Sequence, residues 1–157
     1  MPTSRLQRIL LVEDSMRDAE LALEALDGYH LANEVVHVRD GVEALDYLFR
    51  RGTFAARPGE QPCVVLLDLK MPRVDGLEVL RQIKGDPGLR LIPVVVMTSS
   101  REEQDVISSY HLGVNAYVVK PVQFHEFVEA VKQVGAFWAL INEPPPGSAR
   151  RPTTSGT

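Results

Sequence analysis

Residues 64–68 read Val64-Val65-Leu66-Leu67-Asp68: four apolar residues in an unbroken row, then a carboxylate. A strand with one wet face alternates apolar and polar residues. A continuous run instead suits a strand covered on both faces, as in a parallel sheet. Working outward, four more short runs have the same β-rich character: Ile9-Leu10-Leu11-Val12, Val35-Val36-His37-Val38, Val94-Val95-Val96-Met97 and Ala116-Tyr117-Val118-Val119. Between and after them, apolar residues recur at helical spacing. The first helical pattern starts near Ser15, carries Met16, Ala19, Ala22, Leu23 and Leu26, and is closed by Gly28. The second follows Asp40-Gly41 with Val42, Leu45, Leu48 and Phe49, and the third follows Asp75-Gly76 with Leu77, Leu80 and Ile83. A fourth opens with Ser100 and Glu103, a capping-box pair, and carries Val106, Ile107 and Tyr110. The last carries Phe124, Phe127, Val128, Val131, Val134 and Trp138.

Strand followed by helix, five times over, makes an α/β domain. Right-handed crossovers turn that order into an open, doubly wound parallel sheet with helices on both faces. Five strands favour the flavodoxin-like (βα)5 arrangement with strand order 2-1-3-4-5. The length of 157 residues fits one domain, placed at 1–142, plus a tail at 143–157. That tail contains Pro144-Pro145-Pro146 and then small, polar residues, so it reads as disordered. The connection from Arg50 to Pro62, rich in Gly, Pro and Arg, reads as an exposed loop.

Composition excludes several classes. A net charge of −4 gives no support for broad electrostatic binding to nucleic acid. Cys63 is the sole cysteine, which removes an internal disulfide, Cys-based zinc fingers and redox CxxC motifs; beside an apolar run it reads as a buried structural thiol. No apolar stretch approaches the ~20 residues that cross a bilayer. The short apolar run after Arg5 and Arg8 meets Glu13 and Asp14, unlike a secretory leader, so a cytoplasmic location without a membrane anchor is expected.

The strand ends carry the chemistry. Glu13 and Asp14 follow the first run, Asp68 the third, Thr98 the fourth and Lys120 the fifth. In an open parallel sheet, sites form outside the carboxyl ends of the strands where strand order reverses, here between the first and third strands. Three carboxylates brought together there repel, and a hard divalent cation such as Mg²⁺ offsets them. Asp68 can act as a carboxylate nucleophile toward a phosphoryl group. Lys120 can neutralise phosphoryl oxygens, and Thr98 can donate a hydrogen bond to one. Taken singly, each residue has an ordinary reading: Asp14 and Ser15 as helix caps, Lys120 as a solvated charge, Thr98 as a turn residue. Four suitable residue types at the ends of four separate strands make coincidence the weaker account.

The segments Leu10-Leu11-Val12-Glu13-Asp14, Leu66-Leu67-Asp68-Leu69-Lys70-Met71-Pro72 with Asp75-Gly76, Thr98-Ser99, and Tyr117-Val118-Val119-Lys120-Pro121 resemble the receiver domain of response regulators, from about Arg8 to Ile141. The resemblance implies that Asp68 is the phosphoacceptor. It implies that Glu13 and Asp14 are the acidic pair, and that Asp14, Asp68 and the backbone carbonyl of Lys70 hold Mg²⁺. It implies that Thr98 and Lys120 contact the phosphoryl group, and that the Lys120–Pro121 bond is cis. Pro72 would shape the loop after Asp68, and Gly76 would allow the turn into the third helix. Tyr117 would turn inward as Thr98 moves toward the phosphoryl group, biasing the helix after Ser100, the fifth strand and the last helix between two arrangements.

The long connection before Pro62, Asp105-Val106-Ile107-Ser108-Ser109-Tyr110, Asn115 to Pro121 and Phe137-Trp138 are similar to the small response regulators associated with bacterial phytochromes. That similarity implies a phytochrome histidine kinase as phosphoryl donor and a homodimer. Tyr110 and the apolar set Phe137, Trp138, Leu140 and Ile141 are the candidate interface, since an exposed apolar patch often marks one. No effector domain is expected after the last helix, so output would be a protein contact or onward phosphotransfer, not enzyme activity. Two alternatives stay open from the residues alone. One is an aspartyl-nucleophile phosphohydrolase, against which Lys70 stands where such enzymes carry a second Asp. The other is a non-phosphorylated flavin or nucleotide module, against which Glu13-Asp14-Ser15-Met16 is acidic where a phosphate loop is needed.

Overall fold

The computed structural model describes residues 7–27, 33–69, 75–99 and 116–133. Five strands, β1 (Gln7–Val12), β2 (Asn33–Val38), β3 (Val64–Asp68), β4 (Val94–Thr98) and β5 (Ala116–Val119), form one sheet in the order β2-β1-β3-β4-β5. Every neighbouring pair is parallel. Four helices are described: α1 (Met16–Asp27), α2 (Gly41–Phe49), α3 (Gly76–Gly85) and α4 (Phe124–Gln133). The expected architecture and strand order are those observed. The helix expected after Ser100, Gly28 and the tail lie outside the described residues.

The unbroken apolar runs have a physical cause in two separate cores. Alternate residues of β1 and β3 point to opposite faces. Leu10, Val12, Val65 and Leu67 meet Leu45, Leu48, Leu80 and Ile83 of α2 and α3 on one face. Ile9, Leu11, Val64 and Leu66 meet Ala19, Ala22, Phe127 and Val131 of α1 and α4 on the other. Each large side chain fully buried in this way contributes roughly 1.5–3 kcal/mol. The two edge strands relax the rule: Val35 and Val36 of β2 are half-buried, as is Tyr117 of β5, while Val119 is exposed.

Aspartates start two of the helices. Asp40 accepts the Glu43 N–H at 2.9 Å, and Asp75 accepts the Glu78 N–H at 3.0 Å. The 50–62 connection is mostly exposed, as expected, but it is not slack. It contains a 3-10 turn at Gly52–Phe54. The Arg57 guanidinium lies 3.9 Å from the Tyr47 ring centroid, and its Nε donates to the Tyr47 carbonyl at 2.9 Å. Gln61 donates to the Leu48 carbonyl at 2.9 Å. The connection is thereby clamped along the C-terminal half of α2, at the sheet edge away from the site below. Cys63 is half-buried against the α1–α4 core, and burial pushes its thiol up to about 11.

Candidate functional site

The sheet register carries the polar strand ends to one edge. Val12 stands beside Val38 and Leu67, Asp68 beside Met97, and Thr98 beside Val119. The next backbone groups continue the ladder: Glu13 donates its N–H to the Val38 carbonyl at 3.1 Å, and Lys120 donates to the Thr98 carbonyl at 2.8 Å. His37 Nε2 lies 2.8 Å from the Glu13 carbonyl. The acids therefore sit on main chain that the sheet already holds.

Glu13, Asp14 and Asp68 each offer a carboxylate oxygen, all within 4.8 Å of one another. Glu13 and Asp68 are buried, and Asp14 is half-buried. The first helix is capped by Ser15, whose Oγ accepts the Asp18 N–H at 3.2 Å. The ordinary reading offered for Asp14 and Ser15 thus belongs to Ser15, while Asp14 joins the cluster. Glu13 Oε2 accepts the Ser15 N–H at 3.0 Å.

Lys120 reaches into this cluster. Its Nζ lies 2.9 Å from Glu13 Oε1, 3.2 Å from Asp18 Oδ2 and 3.3 Å from Asp68 Oδ1. Burial alone would lower the ammonium's pKa, but the contacts with Glu13, Asp68 and Asp18 outweigh it and raise the group above the ordinary lysine value. Burial pushes Glu13 the other way for an acid, up to about 7. Lys120 and the Ser15 N–H oppose that rise, and the Asp68 charge adds to it.

Thr98 is wholly buried, and its Oγ1 finds no hydrogen-bond partner among the described residues. Glu13 Oε1 is likewise without a well-formed hydrogen bond there, its approach to Lys120 being an ion pair by distance only. A buried polar atom left without a partner costs about 1–3 kcal/mol. Such atoms beside three crowded carboxylates match a site completed by a cation and an anion. The donor set, all oxygen and strongly anionic, fits a hard divalent cation.

Gly76 explains how α3 approaches so closely. A Cβ there would fall 2.5 Å from the Asp68 carbonyl oxygen and 2.5 Å from Leu69 Cα. What demands glycine is this close approach of α3 to the Asp68 main chain. The Gly76 N–H donates to the Leu69 carbonyl at 3.0 Å, tying the helix start to the residue after Asp68.

Glu13, Asp14, Asp68, Thr98 and Lys120 are thus brought together, and the Lys120–Pro121 bond is cis. Tyr117 is half-buried at the open edge of the sheet, one wall of a groove of about 340 Å³ with Val119, Glu126, Glu129 and Gln133. Lys70, Pro72, Tyr110, Phe137, Trp138, Leu140 and Ile141 lie outside the described residues. Asp18 was not singled out from the sequence. Its signal there was only that of an acid three residues after a capping serine, and nothing local pointed to a lysine 102 positions away.

The chain matches the family model described as the response regulator receiver domain over residues 9–132. It is 42% identical over 130 residues to response regulator Rcp1 of Synechocystis sp. (strain ATCC 27184 / PCC 6803 / Kazusa), a match covering 83% of this chain and 87% of Rcp1. The structure of Rcp1 in its Mn²⁺-bound form matches with a TM-score of 0.69 at 41% identity, covering 89% of this chain and 99% of that one. The bacteriophytochrome response regulator AtBRR matches with a TM-score of 0.84 at 62% identity, covering 88% of this chain and 99% of AtBRR. The bacteriophytochrome response regulator RtBRR matches with a TM-score of 0.82 at 61% identity, covering 92% and 87%.

Proposed function

The chain belongs to the response regulator receiver domain family, and from that premise we propose that Asp68 accepts a phosphoryl group from a histidine kinase. The observation that carries this reading is Asp68 itself: a buried carboxylate within 3.3 Å of the Lys120 ammonium, in a cluster with Glu13 and Asp14. A carboxylate oxygen of Asp68 attacks the phosphorus of a phosphohistidine. The new O–P bond forms as the N–P bond breaks, and the leaving imidazole nitrogen keeps the electron pair. Lys120 neutralises one phosphoryl oxygen. Thr98 donates its hydroxyl to another, which would give that buried group its missing partner.

Asp14 and Asp68, with the backbone carbonyl of Lys70, would hold Mg²⁺, and Glu13 completes the acidic pocket around them. When bound, the cation offsets the charge of the transferring phosphoryl oxygens. The Mn²⁺-bound form of Rcp1 supports a divalent cation in this pocket. Phosphorylation adds about −1.5 to −2 charge. Thr98 would then shift toward the new oxygens and Tyr117 would turn inward.

The donor we propose is a bacterial phytochrome kinase, on the strength of the likeness to two bacteriophytochrome response regulators. We place the protein in the cytoplasm. Among the described residues no helix is long and apolar enough to cross a membrane. The receiver domain would occupy 1–142, with 143–157 as a tail beyond it. The chain would pair with a second copy through the open-edge face between the helix expected after Ser100 and α4, with Tyr110, Phe137, Trp138, Leu140 and Ile141 as the candidate contacts. Exposed Val119 and the groove beside it support a contact at that edge.

Intact-protein mass after incubation with Mg²⁺ and acetyl phosphate tests the central step. One phosphoryl group should be added to the wild type, and none to Asp68→Ala or in the absence of Mg²⁺. Mass gained equally by Asp68→Ala would move the acceptor elsewhere. A wild type that stays unmodified with acetyl phosphate and with a phosphorylated kinase would reject phosphoacceptor function.

A further inference from the structure

We propose that Asp18 is a positioning residue for phosphoryl transfer. With Glu13 it holds the Lys120 ammonium in place beside Asp68. The inference rests on Asp68 as phosphoacceptor but concerns a residue that reading does not require.

An ammonium has three N–H donors and no acceptor. Lys120 Nζ meets three carboxylates, one from the end of β1, one from α1 and one from the end of β3, at 2.9, 3.2 and 3.3 Å. The three differ in depth. The side chains of Glu13 and Asp68 are 1% and 6% exposed, whereas that of Asp18 is 35% exposed. Asp18 therefore closes the solvent side of the ammonium, and Glu13 backs it from within.

Lysine carries its charge on a flexible four-carbon stem, and fixing that stem costs rotamer freedom. A single tether leaves the ammonium free to swing about one contact. Two tethers, one from the end of β1 and one from α1, restrict that swing and keep the ammonium 3.3 Å from Asp68 Oδ1. When the phosphoryl group arrives, the contact with Asp68 Oδ1 can pass to a phosphoryl oxygen while the other two persist. The stem is then ordered before the transfer and not during it, which is preorganisation in its plain sense.

Local sequence puts Asp18 where this is possible. Ser15 caps α1 by accepting the Asp18 N–H, which sets Asp18 in the first turn of the helix. An acid in the first turn also complements the helix dipole. That ordinary role accounts for the residue type. It does not account for a carboxylate lying 3.2 Å from an ammonium 102 positions further along the chain.

The test is the initial rate of phosphoryl addition from acetyl phosphate at saturating Mg²⁺, read by intact mass on the full chain. Asp18→Asn should slow it about two- to fivefold, the range expected for loss of one partly exposed ion pair acting on a barrier. Mg²⁺ affinity by calorimetry should not change, and Asp18→Glu should recover part of the rate. In a Lys120→Met background, Asp18→Asn should add nothing, because its effect runs through the ammonium. Trifluoroberyllate affinity across the same four proteins gives the same cycle wherever the Lys120→Met rate is too slow to follow. Wild-type speed in Asp18→Asn would overturn the proposal, as would an equal slowing in the Lys120→Met background. A wild type that never gains a phosphoryl group would overturn the reading of Asp68 itself, and this outcome is distinct from both.

Discussion

Replacing Thr98 by valine should stabilise the resting protein and weaken its response to phosphorylation. Thr98 is 0% exposed, and its hydroxyl has no hydrogen-bond partner among the described residues. Leaving a buried hydroxyl in that condition costs about 1–3 kcal/mol, whereas an apolar group of the same shape carries no such penalty. Valine has that shape and the same stiffness at χ1. The expected gain is about 1–2 kcal/mol, or a rise of roughly 3–8 °C in melting midpoint for a domain of this size. Thr98→Ser is the control. It keeps the hydroxyl and loses a methyl, so it should melt lower by the equivalent of about 0.8 kcal/mol or more. The assay is thermal unfolding followed by circular dichroism, first with chelator and then with Mg²⁺ and trifluoroberyllate. With the phosphoryl analogue present, the wild-type hydroxyl gains a charge-assisted bond worth about 1.5–3 kcal/mol, and valine cannot make it. The order of stabilities should therefore narrow or reverse between the two conditions. A valine variant that melts below the wild type with chelator would show that the hydroxyl is already satisfied, and the reasoning would fail.

Two further outcomes follow from the same geometry. Gly76→Ala should cost about 1–3 kcal/mol despite alanine's better helix propensity, because the new Cβ meets backbone atoms of Asp68 and Leu69 that cannot swing aside; an unchanged urea midpoint would refute this. Cys63 should be alkylated at pH 8 about a hundredfold more slowly in the folded protein than in urea, because burial raises its folded pKa to about 11; since the folded state keeps a proton that the unfolded state releases, this thiol's share of stability should fall as pH rises from about 9 toward 11, and equal alkylation rates would contradict both statements.

What could be read in advance follows the range of each interaction. The strands were legible because burial on both faces leaves a mark in consecutive residues, as in Val64 to Leu67. The site was legible because each polar residue stands directly after a strand, and a parallel sheet delivers strand ends to one edge. β2 extends two residues earlier than its apolar run, to Asn33. There the pairing of Gln7 with Asn33 is made by backbone at an edge strand and needs no apolar side chain. The clamp on the 50–62 connection was not legible, because Arg57 stacks on Tyr47 only once α2 has formed and the chain has turned back. Gly76 was marked as a turn residue, but its close contact with the Asp68 main chain exists only after α3 packs. Asp18 is the extreme case, since its partner stands 102 positions further along the chain.

The resting site is poorly satisfied by design of its surroundings. Among the described residues three carboxylates meet one ammonium, a fourth, Asp14, crowds two of them, and a buried hydroxyl has nothing to donate to. Taken alone, each feature lowers stability. They persist because the strands that carry them are fixed by two cores lying on either side of the sheet. The burial that pushes Glu13 up to about 7 and isolates Thr98 also lowers the local dielectric, so a new charge at Asp68 acts more strongly there than on an open surface. On the proposed reading, Thr98 would carry the effect of that charge to the sheet edge. Its carbonyl accepts the Lys120 N–H at 2.8 Å, and it stands in register with Val119. A shift of Thr98 toward a phosphoryl oxygen must therefore strain or move the end of β5. That strand has a neighbour on one side only, and it carries half-buried Tyr117 and exposed Val119 along the groove beside α4. β5, a four-residue edge strand, is thus bonded directly to Thr98, so a shift of Thr98 toward a phosphoryl oxygen would be passed to it first.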